Sequence, residues 1–210
     1  MMIRWIWILP PALMLVLGGC SKELTAGGLR EGEVSAAATD QEGASSARYS
    51  LAPGRGSQVE SAGVLSGSVD MRISVTVIDE EGREVPVTEG VVGASVPIGT
   101  SELVPLGTTQ MEVGFYTTVR LRFEEVFAQV NGLDLAGGPF SGTVEVGLGN
   151  EGLVIDFEGG LEVREEGSLV VVALRSSEWL GSAEIVSGAI PPRMTVSATD
   201  FASAVLVDVR

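Results

Sequence analysis

The chain has 210 residues and a formal net charge of −15, from 13 basic and 28 acidic side chains, a balance that repels phosphate backbones and anionic headgroups and so excludes nucleic acid as a partner. No histidine and only one cysteine are present, which excludes His-based acid–base chemistry, Ser/His/Asp and Cys/His nucleophiles, and zinc sites built on His or Cys. Lys22 is the sole lysine, so a Schiff base is excluded as well, and a carboxylate pair is the one catalytic option left.

At the amino terminus a single cation, Arg4, precedes an apolar run from Trp5 to Leu17. A spanning helix needs about 20 apolar residues, so this shorter run reads as the h-region of a secretory signal. Gly18 and Gly19 then lead into Cys20. Two residues without side chains let an extended backbone enter a processing enzyme and leave the thiol accessible. The stretch Leu17, Gly18, Gly19, Cys20 resembles the lipobox of bacterial lipoproteins. That resemblance implies a diacylglyceryl thioether on Cys20, cleavage after Gly19 and acylation of the new amino terminus. Ser21 resembles the residue found there in lipoproteins sorted to the outer membrane. The expected location is the cell envelope, with the lipid as the link to the membrane.

From Ser21 to Gly67 the composition is Ala, Gly, Ser, Thr and Glu with few large apolar residues, which predicts a disordered acidic linker. The expected organisation is a signal peptide over 1–19, lipidated cysteine and linker over 20–67, and one folded domain over 68–210. That domain is long enough to fold without disulfides.

At Val69 a strict alternation begins, with Val69, Met71, Ile73, Val75 and Val77 on one side and Asp70, Arg72, Ser74 and Thr76 on the other. A period of two predicts a half-buried strand. Asp79, Glu80, Glu81 and Gly82 read as a hairpin turn, because they lack the ligand spacing of a calcium loop. Short apolar segments at Val91–Val96 and Leu103–Leu106 are broken by Gly and Pro, a spacing that fits short strands and no long helix. Phe115, Thr117, Val119, Leu121 and Phe123 share one parity, while Val126, Ala128 and Val130 continue on the other. One inserted residue reconciles the two, which predicts a β-bulge at Glu124 and Glu125.

The stretch Gly114 to Leu121, with Tyr116 and then Val119, Arg120, Leu121, resembles a strand of uncharacterised bacterial exported β-sandwich domains. Leu153 to Glu158 is similar to a second strand of that family. The resemblance implies a fold and no established activity.

Beyond Asn131 and Gly132 a loop is expected, followed by a hairpin of Val144–Leu148 with Leu153–Phe157. Asp156 and Glu158 fall on its polar side as the least poor candidates for a catalytic carboxylate pair. Glu162, Glu165 and Glu166 read as solvated turn residues. Leu169–Leu174 is a continuous apolar run, as in an inner strand. Trp179 reads as a plug over the end of the core. Two last strands are expected at Arg193–Ala198 and Ser203–Val209.

The fold expected from this pattern is all-β, an antiparallel β-sandwich of immunoglobulin-like or transthyretin-like type behind the linker. The functional expectation is a non-enzymatic binding or structural envelope module of unknown ligand, with an envelope protein or glycan as the candidate partner and without cofactor or metal. A carboxylate-dependent glycan hydrolase and a calcium-stabilised adhesion module are the alternatives.

Overall fold

The computed structural model describes residues 32–40, 65–135, 138–189 and 193–210. Its spine is a pair of long antiparallel strands, β2 (Ser66–Asp79) and β6 (Gly114–Leu135). The alternation expected in β2 is present: Val69, Met71, Ile73, Val75 and Val77 are buried, and the intervening side chains face outward. The turn after β2 is closed by Asp79, whose carboxylate accepts from the Arg83 backbone N–H at 2.8 Å and from Arg83 Nε at 2.6 Å. β3 (Glu84–Pro86) and β4 (Val92–Pro97) then share the free edge of β2.

The other edge of β6 is divided in the same way. β7 (Gly138–Gly147) pairs with its carboxyl-terminal half and β8 (Leu153–Val163) with its amino-terminal half, both antiparallel. Residues 144–157 therefore do not form the expected hairpin. β7 and β8 follow one another along the same edge, and Leu148–Gly152 bridges them without reversing the chain. Gly152 makes the bridge possible: φ is +74°, and a Cβ there would lie 2.4 Å from the Phe123 carbonyl oxygen. No other residue type fits so close to the β6 backbone.

A second, four-stranded sheet has the order β12, β9, β1, β5, formed by β1 (Glu33–Thr39), β5 (Val104–Gln110), β9 (Ser168–Ala173) and β12 (Leu206–Val209). β9 is the inner strand expected at Leu169–Leu174. β1 corrects the linker expectation over its own residues. Its side chains are small, which hid it from a reading that looked for large apolar residues, yet Val34, Ala36, Ala37 and Ala38 are fully buried. Its order comes from backbone pairing on both edges, to β5 and to β9. The rest of the expected linker, apart from Gly32, Asp40, Leu65 and the first residues of β2, lies outside the described residues.

The fold is all-β, but its sheets are mixed and not antiparallel throughout. β1 runs parallel to β9, and β7 runs parallel to β11 (Arg193–Ser197), whose other neighbour is β10 (Glu184–Ile185). Parallel neighbours need a long crossover between them. Most of the larger sheet supplies it for β1 and β9, and the path through β8, β9 and β10 supplies it for β7 and β11. One buried face of each sheet contributes to a shared hydrophobic core, and Ala37, Leu169 and Val171 of the smaller sheet form a second small cluster with Leu103.

Two short helices close one end of that core, α1 (Ser176–Leu180) and α2 (Ala198–Ala204). Trp179 is fully buried as the expected plug and meets Phe201 edge-on at 5.4 Å, and Phe201 meets Phe123 at 5.1 Å. The final strands are not a pair, because α2 sends β11 and β12 to different sheets. Ser197 Oγ caps α2 by accepting from the Asp200 N–H at 3.1 Å.

Candidate functional site

β6 carries three register irregularities, and each re-aims side chains. At Glu124 the pairing with β2 skips one residue, so Arg72 faces Glu125 and Ile73 faces Phe123. This is the bulge the parity change predicted, and it keeps Val126, Ala128 and Val130 in the core. A second skip at Thr117 was not anticipated. It turns Tyr116 inward and leaves Phe115 half exposed, the reverse of the expected parity. Thr117 Oγ1 fixes the kink by donating to the Ile78 carbonyl at 3.2 Å. The third irregularity lies at Gly132, where φ is +79°, and it lets β6 continue to Leu135 where a loop was expected.

The Glu124 bulge faces the gap where β7 ends and β8 has not begun. A groove of about 680 Å³ opens there on the outer face of the larger sheet. Register defines its floor. Glu145 stands opposite Phe127 on one side and Thr195 on the other, and Thr143 stands opposite Gln129 and Arg193. Their neighbours Val126, Ala128, Val144, Val146, Met194 and Val196 point into the core, so these outward residues share one face. Gly147 ends β7 without a side chain and deepens the floor.

The groove carries three carboxylates, Glu124, Glu125 and Glu145, against one guanidinium, Arg193. Arg72, across the bulge, holds Glu124 at 3.3 Å. Thr143 Oγ1 donates to Gln129 Oε1 at 3.2 Å, and Ser141 Oγ donates to Asn131 Oδ1 at 2.7 Å. Half-buried Phe127 gives the floor an apolar patch. Such a surface offers many acceptors, a few donors and one aromatic ring. That chemistry suits hydroxyl-rich or cationic ligands and opposes phosphates and other anions.

Asp156 and Glu158 do not form a cleft. They lie two residues apart on the outer face of β8, opposite Arg120 and Thr118. Arg120 donates to both oxygens of Asp156, at 2.7 and 2.9 Å, and also pairs with Glu84. This fork holds the Asp156 carboxyl below its ordinary range, by hydrogen bonding first, with partial burial opposing it. A carboxyl so held is a poor proton donor near neutral pH. The two stretches that carried the family resemblance are thus strands paired with each other. Glu162 pairs with Arg164 at 3.1 Å, and Glu165 and Glu166 are exposed. Among the described residues no group of three or more Asp, Glu, His or Cys is placed to hold a metal ion. In the turn after β2, burial raises Asp79 but the Arg83 backbone N–H and guanidinium outweigh it, so its carboxyl lies below the usual range. Leu17, Gly18, Gly19 and Cys20 lie outside the described residues.

One buried polar cluster had no signal in the sequence. Asp40, directly after β1, is fully buried and accepts from Ser176 N–H at 2.6 Å, Ser176 Oγ at 2.5 Å and Gly99 N–H at 2.7 Å. It ties β1 to the start of α1 and to the turn after β4. Beside it Arg175 has a left-handed backbone, φ 43°, and its guanidinium donates to the Ala204 and Ser203 carbonyls at the end of α2. These bonds hold a conformation that costs a non-glycine residue about 1 kcal/mol or more.

No protein-family model, curated protein or solved structure matches the chain.

Proposed function

We propose that this chain is a cell-envelope lipoprotein, anchored through Cys20, whose body is a non-enzymatic binding module. The observation that carries the binding role is the groove at the Glu124 bulge, a concave, polar and acidic surface built on the paired strands β6, β7 and β11. The ligand class it fits is an uncharged or cationic polyhydroxylated chain, such as an envelope glycan. Sugar hydroxyls donate to Glu125, Glu145 and Gln129, and Phe127 gives a sugar's apolar face a place to pack. The two sheets facing one another across a single core support reading the body as a β-sandwich, of immunoglobulin-like or transthyretin-like kind with parallel strands added. The lipobox supports the anchor, and Ser21 supports the outer membrane as destination.

The test is binding of the full chain to isolated envelope polysaccharides by pull-down and calorimetry, beside Phe127→Ala and Glu145→Gln. The reading expects capture of at least one polysaccharide, weakened about tenfold by either substitution, equivalent to about 1.4 kcal/mol. Capture unchanged in both variants, or no capture of any polysaccharide, overturns it.

A further inference from the structure

We infer that the end of the fold where β1 begins docks on the bilayer surface, and that Val113 and Phe115 enter its interfacial zone. The inference rests on the lipid anchor proposed above. Between Cys20 and Glu33 the chain has twelve residues, 21–32, and at about 3.5 Å per residue their reach is at most roughly 45 Å. That covalent limit holds the start of β1 near the membrane.

Several parts of the fold gather at that end. The Gly32 carbonyl accepts from Met111 N–H at 2.9 Å, and Glu33 stands opposite Gln110. Val34 stands opposite Ser168, and Leu169 exchanges two backbone hydrogen bonds with Arg210. The segment from β5 to β6 therefore projects there, and it exposes Val113 at 54% and Phe115 at 51%. The Phe115 ring is held in this outward pose. The Thr117 bulge turns it from the core, and it packs over Gly160, where a Cβ would lie 2.4 Å from ring carbon Cζ. An exposed aromatic held this way loses little side-chain freedom on insertion.

Charge narrows the choice of surface. Glu33 stands at this end opposite Gln110, Glu162 stands opposite Phe115, and Glu112, Glu165 and Glu166 lie in the adjoining turns, while Arg164 is held by Glu162 and Arg210 by Asp208. Anionic headgroups are repelled, so the occupant is the zwitterionic interface of the leaflet that holds the acyl chains of Cys20. The groove at Glu124–Gln129 lies nine or more residues beyond Phe115 along β6, on the order of 30 Å at 3.3 Å per residue, and so stands clear of the bilayer.

The test uses the full lipidated chain in phosphatidylcholine vesicles with brominated acyl chains, which quench nearby indoles. Phe115→Trp and Val113→Trp are compared with Ile185→Trp, an exposed position on β10 near the far end of the larger sheet. Interfacial side chains lie about 5–10 Å into the headgroup and acyl boundary, so both tip variants are expected to lose about half their added emission while Ile185→Trp loses none. Protein that floats with vesicles but shows no quenching at the tip, or equal quenching at all three positions, overturns the inference. Protein that does not float at all removes the lipid anchor itself, and the docking with it.

Discussion

Asp40→Ala is the substitution that most directly probes how β1 is held. The carboxylate accepts three hydrogen bonds, two of them from buried Ser176 and one from Gly99. Gly99 is exposed, so its N–H recovers a bond to water, whereas the Ser176 amide and hydroxyl are left buried without an acceptor. Hydrogen bonds to charged groups contribute about 1.5–3 kcal/mol each, so two lost bonds give a destabilisation of about 3–6 kcal/mol. For a domain of this size each kcal/mol shifts Tm by about 2–4 °C, which puts the expected drop at about 6–24 °C. Asp40→Asn keeps one acceptor oxygen and is expected to lose about half as much. The assay is urea and thermal unfolding, with hydrogen exchange across Val34–Ala38 to report whether β1 opens before the rest. A loss below about 1 kcal/mol for Asp40→Ala, with β1 amides as protected as before, refutes the reasoning.

Three further outcomes are expected. Gly152→Ala meets the Phe123 carbonyl at a backbone angle unfavourable to L residues, and is expected to cost about 2–4 kcal/mol in urea unfolding; Gly149→Ala, with similar φ but open space around it, is expected to cost only about 1 kcal/mol. The Asp156 carboxyl lies below its ordinary value because of Arg120, so this pair stabilises the fold above the unfolded pKa of Asp, and the contribution disappears as pH falls through the lowered folded value. Because the pair is partly exposed the effect is small, about 0.5 kcal/mol, and Asp156→Asn is expected to remove it from the difference between stability at neutral and strongly acid pH. Phe201→Ala removes the ring between Trp179 and Phe123, with an expected loss of about 3–5 kcal/mol and of the near-ultraviolet signal of Trp179.

What was legible in the sequence followed from side-chain period. β2 was readable because one face is apolar and the other polar, and the bulge at Glu124 was readable because the apolar series changes parity there. β1 was hidden because Ala-rich strands show no period, and their order comes from two neighbours far away in the chain. The absence of a hairpin between β7 and β8 was equally hidden. Gly149 and Gly152 signal a turn, but nothing local says whether the chain reverses or passes along the edge of a longer strand. The skip at Thr117 leaves no parity signal either, since Phe115 and Tyr116 are both suited to burial.

The groove was illegible for a related reason. Glu124 and Glu125 were visible as bulge residues, but Glu145, Gln129, Thr143 and Arg193 become neighbours only through the registers of β6, β7 and β11. The catalytic carboxylate expectation had the opposite fate. Asp156 and Glu158 were conspicuous by spacing, and Arg120, which binds Asp156, was visible only as part of another strand.

The proposed lipid on Cys20 is what would hold this body at the cell envelope. Intact mass of the protein extracted from membranes tests it in one measurement. The expected species is a mature chain that begins at Cys20 and carries the added mass of a diacylglyceryl group and an amide-linked fatty acid. A chain that retains residues 1–19, or one that begins elsewhere with an unmodified Cys20, contradicts it.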